Sequence, residues 1–232
     1  MNRPHPSTQP IPLVYRGVSG ERDYPLLLEI NRSSRLADHD PEPISLAQIS
    51  EGYAASAELD PARQILIACL AEAPEIAIGY THLGWYTSRA DTRLYYQYSR
   101  LRGEYRGRGV WEAMIRQTEQ RMREMAQEHP PVAQCYFQGW ASDKQVDWIA
   151  ALENTGYQVV RRFHNMLYRL GEAPEIPVPE GFEIRPVRSE HMHSIWEAQK
   201  EMNAGLFENV VEDWLDEKYP DWLNDPSHTP QY

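Results

Sequence analysis

Apolar residues along this chain recur in short blocks at alternating or unbroken spacing. Between them lie longer stretches in which apolar residues return every three or four positions. The first pattern is that of strands, the second that of amphipathic helices. Leu13–Val18 reads as a short strand closed by Ser19-Gly20. Glu21–Leu36 reads as a helix in which Pro25 is tolerated only in the first turn. Ser45, with Gln48 three residues on, caps a second helix over Leu46–Ala57. Arg63–Leu70 is a buried strand, and Glu75–Thr87 a longer aromatic-rich one with bulges expected at Gly79 and Gly84. Thr92–Leu101 returns after a turn at Ser88–Asp91. From Trp111 the apolar positions 111, 114, 115, 122 and 125 trace one helical face to about Gln127, and Pro130-Pro131 break it. Val132–Phe137 predicts a strand, Ser142–Leu152 a helix with Gly156 as its C-cap, and Tyr157–Phe163 and Asn165–Leu170 two further strands.

The order β-α-α-β-β-β-α-β-α-β-β predicts an α/β (α+β) lobe over residues 13–170, after a flexible leader of residues 1–12. Three prolines within Gly171–Gly181 mark a stiff linker. Residues 182–232 then begin again with a strand (Phe182–Val187), a helix from about Glu190 to Asn203 and another over Val210–Lys218. After these, turn chemistry ends the sequence. This β-α-α order repeats the opening of the first lobe and predicts a partial second lobe. Charge divides the chain at the same place. Residues 171–232 hold 14 acidic and 4 basic side chains, whereas the rest is close to neutral within a net charge of −11. The second segment also carries Ile195, Trp196, Met202, Leu206, Phe207, Val211, Trp214, Leu215, Trp222 and Leu223, more apolar surface than so short a piece buries alone. It is expected to pack on the first lobe or to exchange with a second copy, making a homodimer.

Composition removes several classes of function. No run approaches the ~18 consecutive apolar residues of a spanning helix. The first residues, MNRPHPSTQPIP, lack the apolar core of a secretory signal, so a cytoplasmic protein without a membrane is expected. Two cysteines, Cys69 and Cys135, exclude a disulfide framework and a cysteine zinc site. Cys135 has no identified His or Asp partner that would make it a nucleophile. His191 and His193 stand two apart on a helix, the wrong spacing for a shared metal, and no metal site is expected. The near-neutral body and acidic whole oppose a nucleic-acid partner, although RGRG and the aromatic TRLYYQYSR superficially suit one.

The segment Arg106-Gly107-Arg108-Gly109-Val110-Trp111 follows a strand and opens a helix. Glycines there let backbone N–H groups turn toward one point, where the helix's unsatisfied donors and dipole act together. Such a turn is either an ordinary cap or a cradle for a pyrophosphate. Arg102, Arg106 and Arg108 would add charge-assisted donors to the second.

These residues resemble a known motif. LRGEYRGRGVWEAMI is similar to the acetyl-CoA motif of the GCN5-related N-acetyltransferases (GNAT), Arg/Gln-x-x-Gly-x-Gly/Ala, with Arg106 at its first position and Gly109 at its fourth. LENTGYQVVRRF resembles the family's later Tyr-Glu-Lys-x-Gly-Phe segment. FEIRPVRSEH after the Pro-rich linker is similar to tandem two-lobe members, of which mycothiol synthase is an example. The resemblance implies a mixed, mostly antiparallel sheet flanked by helices, and acetyl-CoA as co-substrate. It further implies that Ser99, Arg100 and Leu101 pair through their backbone with pantetheine, and that Arg106, Gly107, Arg108, Gly109, Val110 and Trp111 hold the pyrophosphate. Gln145 stands where an Asn often contacts the cofactor, and Leu152 where the family's usual general acid is a Tyr. Trp111 replaces the motif's last small residue and, being on the apolar stripe of its helix, is expected to pack in the core.

The activity so implied is direct transfer of an acetyl group, in a ternary complex, to a primary amine of a small molecule or metabolite. The alternative is a degenerate lobe that binds CoA or serves a structural role without catalysis, which Leu152 and Trp111 favour. No residue is assigned as general base or acid. Tyr96, Tyr98 and His82, on neighbouring strands, are the candidates, each with a packing role as the plainer reading.

Overall fold

The computed structural model describes residues 11–40, 44–54, 60–88, 91–164, 166, 171, 177–203 and 216–224. They belong to two compact units, one drawn from residues 1–86 and 92–158, the other from residues 87–91 and 159–232. The first unit is built on a five-stranded sheet in the order β1-β2-β3-β4-β5. Its strands are β1 (Leu13–Gly17), β2 (Ile65–Leu70), β3 (Ala73–Ser88), β4 (Thr92–Leu101) and β5 (Gln134–Gly139). β1, β2 and β3 pair antiparallel, and β5 joins β4 in parallel. The register between β2 and β3 slips where Ala68 faces Gly79 and Cys69 faces Ala77, so the bulge expected at Gly79 is present. A side chain at Gly79 would press on the Arg100 carbonyl and the end of Met114.

Helices cover both faces. On one, α1 (Tyr24–Ala37) sets Leu27 and Ile30 against Ile65, Ile67, Cys69, Ala77 and Tyr80. Pro25 lies in the first turn of α1, where its missing N–H costs nothing. On the other face, α4 (Val110–Glu128) and α5 (Val146–Asn154) bring Val110, Trp111, Met114, Ile115, Trp148, Ala151 and Leu152 against Ala68, Ile78 and Leu101. Burying each large apolar side chain of this kind contributes about 1.5–3 kcal/mol. α2 (Leu46–Ala54) starts at the expected capping box: Gln48 N–H donates to Ser45 Oγ and Ser45 N–H to Gln48 Oε1.

Several expectations are corrected. Residues 157–163 form no strand, and Val159, Val160 and Phe163 are exposed. The strand expected at Phe182–Val187 is also absent, with Phe182, Ile184 and Val187 exposed. Both segments carry β-favouring residues, but a strand exists only where a neighbour supplies its hydrogen bonds. A short helix, α3 (Pro61–Gln64), takes Arg63 from the expected strand. Asp60 caps it by accepting the Ala62 N–H at 3.1 Å. β5 begins two residues later than expected, after Pro130-Pro131. α5 begins at Val146 because Ser142–Gln145 closes a turn of its own.

In the second unit α6 (Met192–Asn203) and α7 (Tyr219–Leu223) are helical, the latter where turn chemistry was expected. Trp196 is buried between Tyr219 and Trp222, with ring centroids 5.7 and 5.4 Å away. Most of the expected strand Asn165–Leu170 and residues 210–215 of the expected helix lie outside the described residues. So do the leader's residues 1–10, the linker's 172–176, and Leu206, Phe207, Val211, Trp214 and Leu215.

Candidate functional site

The parallel ladder between β4 and β5 ends at the pair Gln97–Gly139. β4 continues four residues further, through Tyr98, Ser99, Arg100 and Leu101, with no β5 partner. Backbone groups alternate in direction along a strand, and the Arg102 N–H is given to the Ile78 carbonyl of β3 at 2.9 Å. The N–H and C=O groups of Ser99 and Leu101 therefore point to the opposite side, where β5 has ended. Alternation also sorts the side chains. Gln97, Ser99 and Leu101 face α4, and Tyr96, Tyr98 and Arg100 face α1.

At the end of β4 the chain makes a 3-10 turn over Gly103–Tyr105 and enters the Arg106–Trp111 loop. Gly107 and Gly109 adopt φ values of 68° and 72°, and a Cβ at either would meet nothing within 4 Å. They thus form an open concavity that ordinary residues disfavour on conformational grounds. The first bond of α4 runs from the Ala113 N–H to the Gly109 carbonyl, at 3.1 Å. The N–H groups of Val110, Trp111 and Glu112 precede it and have no acceptor within the helix. A cavity of about 210 Å³ opens here, lined by Gly107, Gly109, Trp111, Glu112, Asp147, Ala150 and Ala151.

The three loop arginines have separate fates. Arg106 turns away from the cavity: one Nη meets Asp38 at 2.5 Å and the other donates to the Ser34 carbonyl and hydroxyl. Arg102 donates to the Ala77 carbonyl and to Glu29. Arg108 is exposed. Trp111 packs in the core against Trp148, at 4.8 Å between centroids, while lining the cavity. Its Nε1 is buried without a hydrogen-bond partner. The Gln145 Oε1 accepts the Ser142 N–H at 2.9 Å, so this side chain caps its own turn. Two carboxylates, Glu112 and Asp147, also line the cavity, and nothing in the motif signalled Asp147.

On the α1 face, His82 and Tyr96 meet edge to face, with ring centroids 6.2 Å apart. Burial pushes the His82 pKa down and the Tyr96 pKa up, so each favours its neutral form. Tyr98 is 40% exposed and lies over the Arg100 guanidinium, 4.2 Å from ring centroid to carbon. Arg100 itself is only 5% exposed, and burial lowers its pKa. It donates to the Tyr98 hydroxyl and, at 3.3 Å, to the Ser99 carbonyl on the free edge.

Beyond the expected residues, the hydroxyl of Tyr157 accepts from Gln97 Nε2 at 2.7 Å, on the α4 face where the ladder ends. Burial, with Glu119 nearby, holds this phenol strongly protonated. The buried Oε1 of Gln97 has no hydrogen-bond partner. Leu152, 7% exposed, is part of the core. Tyr157 follows Gly156, the positive-φ residue after the Thr155 C-cap of α5, and its proximity to Gln97 depends on tertiary packing that local spacing does not carry. Among the described residues, no three or more His, Cys, Asp or Glu side chains gather as a metal site. No described helix is long and apolar enough to cross a membrane.

No protein-family model matches the chain, and no curated protein matches it in sequence. Among solved structures it is similar to a GCN5-related N-acetyltransferase from Sphaerobacter thermophilus, with a TM-score of 0.60 and 16% identity. The match covers 82% of this chain and 57% of that one, so the chain spans little more than half that protein's length. It is also similar to a predicted acetyltransferase from Clostridium acetobutylicum solved with acetyl-CoA. There the TM-score is 0.49 and the identity 13%, covering 67% and 96% of the two chains. The five-stranded, mostly antiparallel sheet flanked by helices is the GNAT fold.

Proposed function

We propose that the protein is a GNAT-type N-acetyltransferase that moves an acetyl group from acetyl-CoA directly to a primary amine of a small molecule or metabolite. The observation that carries this reading is the unpaired end of β4 leading straight into the open Gly107–Gly109 turn. A free strand edge and a helix N-terminus lie in sequence along one path, which suits a ligand with an amide-bearing arm and a pyrophosphate. The edge groups of Ser99 and Leu101 would pair with the arm. The amides of Arg108 to Glu112 would receive the phosphates, and the buried Gln97 Oε1 offers an acceptor at the start of the edge. Bound acetyl-CoA supplies an activated thioester. The chain supplies position and a hydrogen-bonded surrounding.

An amine with a pKa near 10 must lose a proton, which costs about 4 kcal/mol at pH 7, from roughly three pKa units. His82, kept neutral by burial on the α1 face, is the group suited to accept it, directly or through water. Tyr96, its pKa pushed up by burial, keeps its proton at neutral pH in this reading, and Tyr96 and Tyr98 orient the acceptor. On the α4 face the Tyr157 hydroxyl is the proton-bearing group available to the departing sulfur, where Leu152 has none.

The tandem reading extends this assignment. The likeness to the Sphaerobacter protein takes in more of the chain than residues 13–170 make up, which supports a partial second lobe over residues 182–232. A homodimer through that segment is the corresponding proposal, checked by light scattering on the full chain.

Calorimetric titration of CoA against the wild type, Gly107→Asp and Gly109→Asp tests the cradle. Tenfold or greater weakening in each variant is expected, and equal affinities would sink the assignment. Acetyl-CoA consumption over an amine panel tests the activity. A second reading, a lobe that holds CoA without transfer, is favoured by Leu152 in the core and by the Glu112 and Asp147 carboxylates beside the cradle. Tight CoA binding with no turnover on any amine would select it.

A further inference from the structure

Arg100 carries a charge that the surrounding protein leaves without a dedicated counter-ion. Its guanidinium is enclosed, its Nη groups meet only the Tyr98 hydroxyl and the Ser99 carbonyl, and its Nε has no hydrogen-bond partner. Two carboxylates act on it from a distance, Asp38 and Asp40. Each is already held by another cation, Asp38 by Arg106 at 2.5 Å and Asp40 by Arg35 at 3.0 Å. Lys144 approaches Asp40 as well, at 3.8 Å. Arg100 is thus left without a carboxylate of its own, in a chain whose net charge is −11. Buried charges are otherwise paired or neutralised, and an unpaired one is retained where a ligand completes it.

The position is specific. Arg100 lies on the β4 extension beyond the ladder, on the α1 face, opposite the face that bears the cradle. Its contact with the Ser99 carbonyl brings the guanidinium to the free edge itself. Tyr98, exposed and resting on the guanidinium, connects it to solvent, and its hydroxyl sits against one Nη where an anion's oxygen would sit. The N–H groups of a guanidinium match the oxygens of a carboxylate.

We propose that Arg100 and Tyr98 form an anion subsite of the acceptor site, so that the acceptor is an amine bearing a carboxylate. The carboxylate oxygens accept from the guanidinium and the Tyr98 hydroxyl donates to the same group, which fixes the amine beside the end of β4. The inference rests on the acetyltransferase reading and narrows its substrate class.

The test uses the full-length protein and a panel of L-amino acids, each beside the amine left when its carboxylate is removed. The expected result is a higher kcat/KM for the carboxylate member of each pair. That ratio should fall by about a hundredfold in Arg100→Met, mainly through acceptor KM. A smaller, several-fold fall is expected in Tyr98→Phe, and partial retention in Arg100→Lys. Calorimetry on the CoA complex should detect the amino acids and not the matched amines, which gives a readout independent of turnover. If Arg100→Met fails to fold, the lysine and phenylalanine variants carry the same comparison. Turnover with no carboxylate preference, or a preference that none of the variants alters, overturns the subsite and leaves the acetyltransferase reading standing. Absence of both CoA binding and turnover overturns that reading and this inference with it. CoA binding without turnover on any amine selects the non-catalytic reading, and if no amino acid binds calorimetrically it overturns the subsite as well.

Discussion

Two arginines six residues apart, Arg100 and Arg106, show how differently one protein uses the same side chain. Both turn toward the α1 side of the sheet and both are largely enclosed. Around Arg106 both Nη groups are held, by Asp38 on one side and by the Ser34 carbonyl and hydroxyl on the other, while its Nε, like that of Arg100, has no hydrogen-bond partner. Around Arg100 there is a phenol, one carbonyl and no carboxylate of its own. The motif arginine that looked like a phosphate donor is thus anchored to α1, while the arginine outside the motif's side-chain roles is the one left wanting a partner. A charge with its own carboxylate holds the fold, and a charge without one marks a place for a ligand.

The difference predicts opposite responses to mutation. Asp38→Ala leaves Arg106 enclosed without its carboxylate and should destabilise the protein by about 3–5 kcal/mol, the cost of breaking a buried pair from one side. Urea denaturation reads this directly. A loss under 1 kcal/mol would mean that Arg106 finds water or another partner, and the contrast with Arg100 would dissolve. Arg100→Met removes a buried, incompletely paired charge and replaces it with an apolar chain of similar length. Its stability should equal or exceed that of the wild type, by up to about 2 kcal/mol, as seen when buried charges give way to apolar residues. A large loss of stability would make Arg100 a structural residue after all.

The same contrast explains what sequence reading captured. β4 matches its expected bounds of Thr92–Leu101, and α4 begins within one residue of Trp111, because alternation and a 3.6-residue stripe are local signals. The bulge at Gly79 and the Ser45–Gln48 box are local as well. Residues 157–163 carried the same kind of alternation yet form no strand, since pairing depends on a distant neighbour. α3 and α7 were too short for any periodicity to register and rest on a cap or a proline at the first turn. The partners of Arg106 lie some seventy residues away in the sequence, at Ser34 and Asp38, so no spacing rule connects them. What Arg100 lacks is equally a tertiary fact, visible only once Asp38 and Asp40 are seen to be taken.

The smallest expected effect concerns pH and separates the α1 face from the rest of the molecule. His82 has its pKa depressed by burial, so the folded state resists a proton that the unfolded chain accepts at its ordinary value near 6.5. Above that value the group is neutral in both states and contributes nothing to pH dependence. As pH falls below it the unfolded state binds the extra proton, and stability declines until the pH reaches the folded pKa. The slope from one such group cannot exceed about 1.4 kcal/mol per pH unit. His129, beside Tyr95, is depressed by burial and by Arg93 and adds a contribution of the same sign, from a more open position. His82→Gln should therefore flatten the fall in stability between about pH 6.5 and 5 more than His129→Gln does, as measured by urea midpoints across that range. Equal slopes in the wild type and His82→Gln would show that the histidine is protonated as readily in the fold as outside it. His82 would then lose its standing as the neutral base on the Arg100 face.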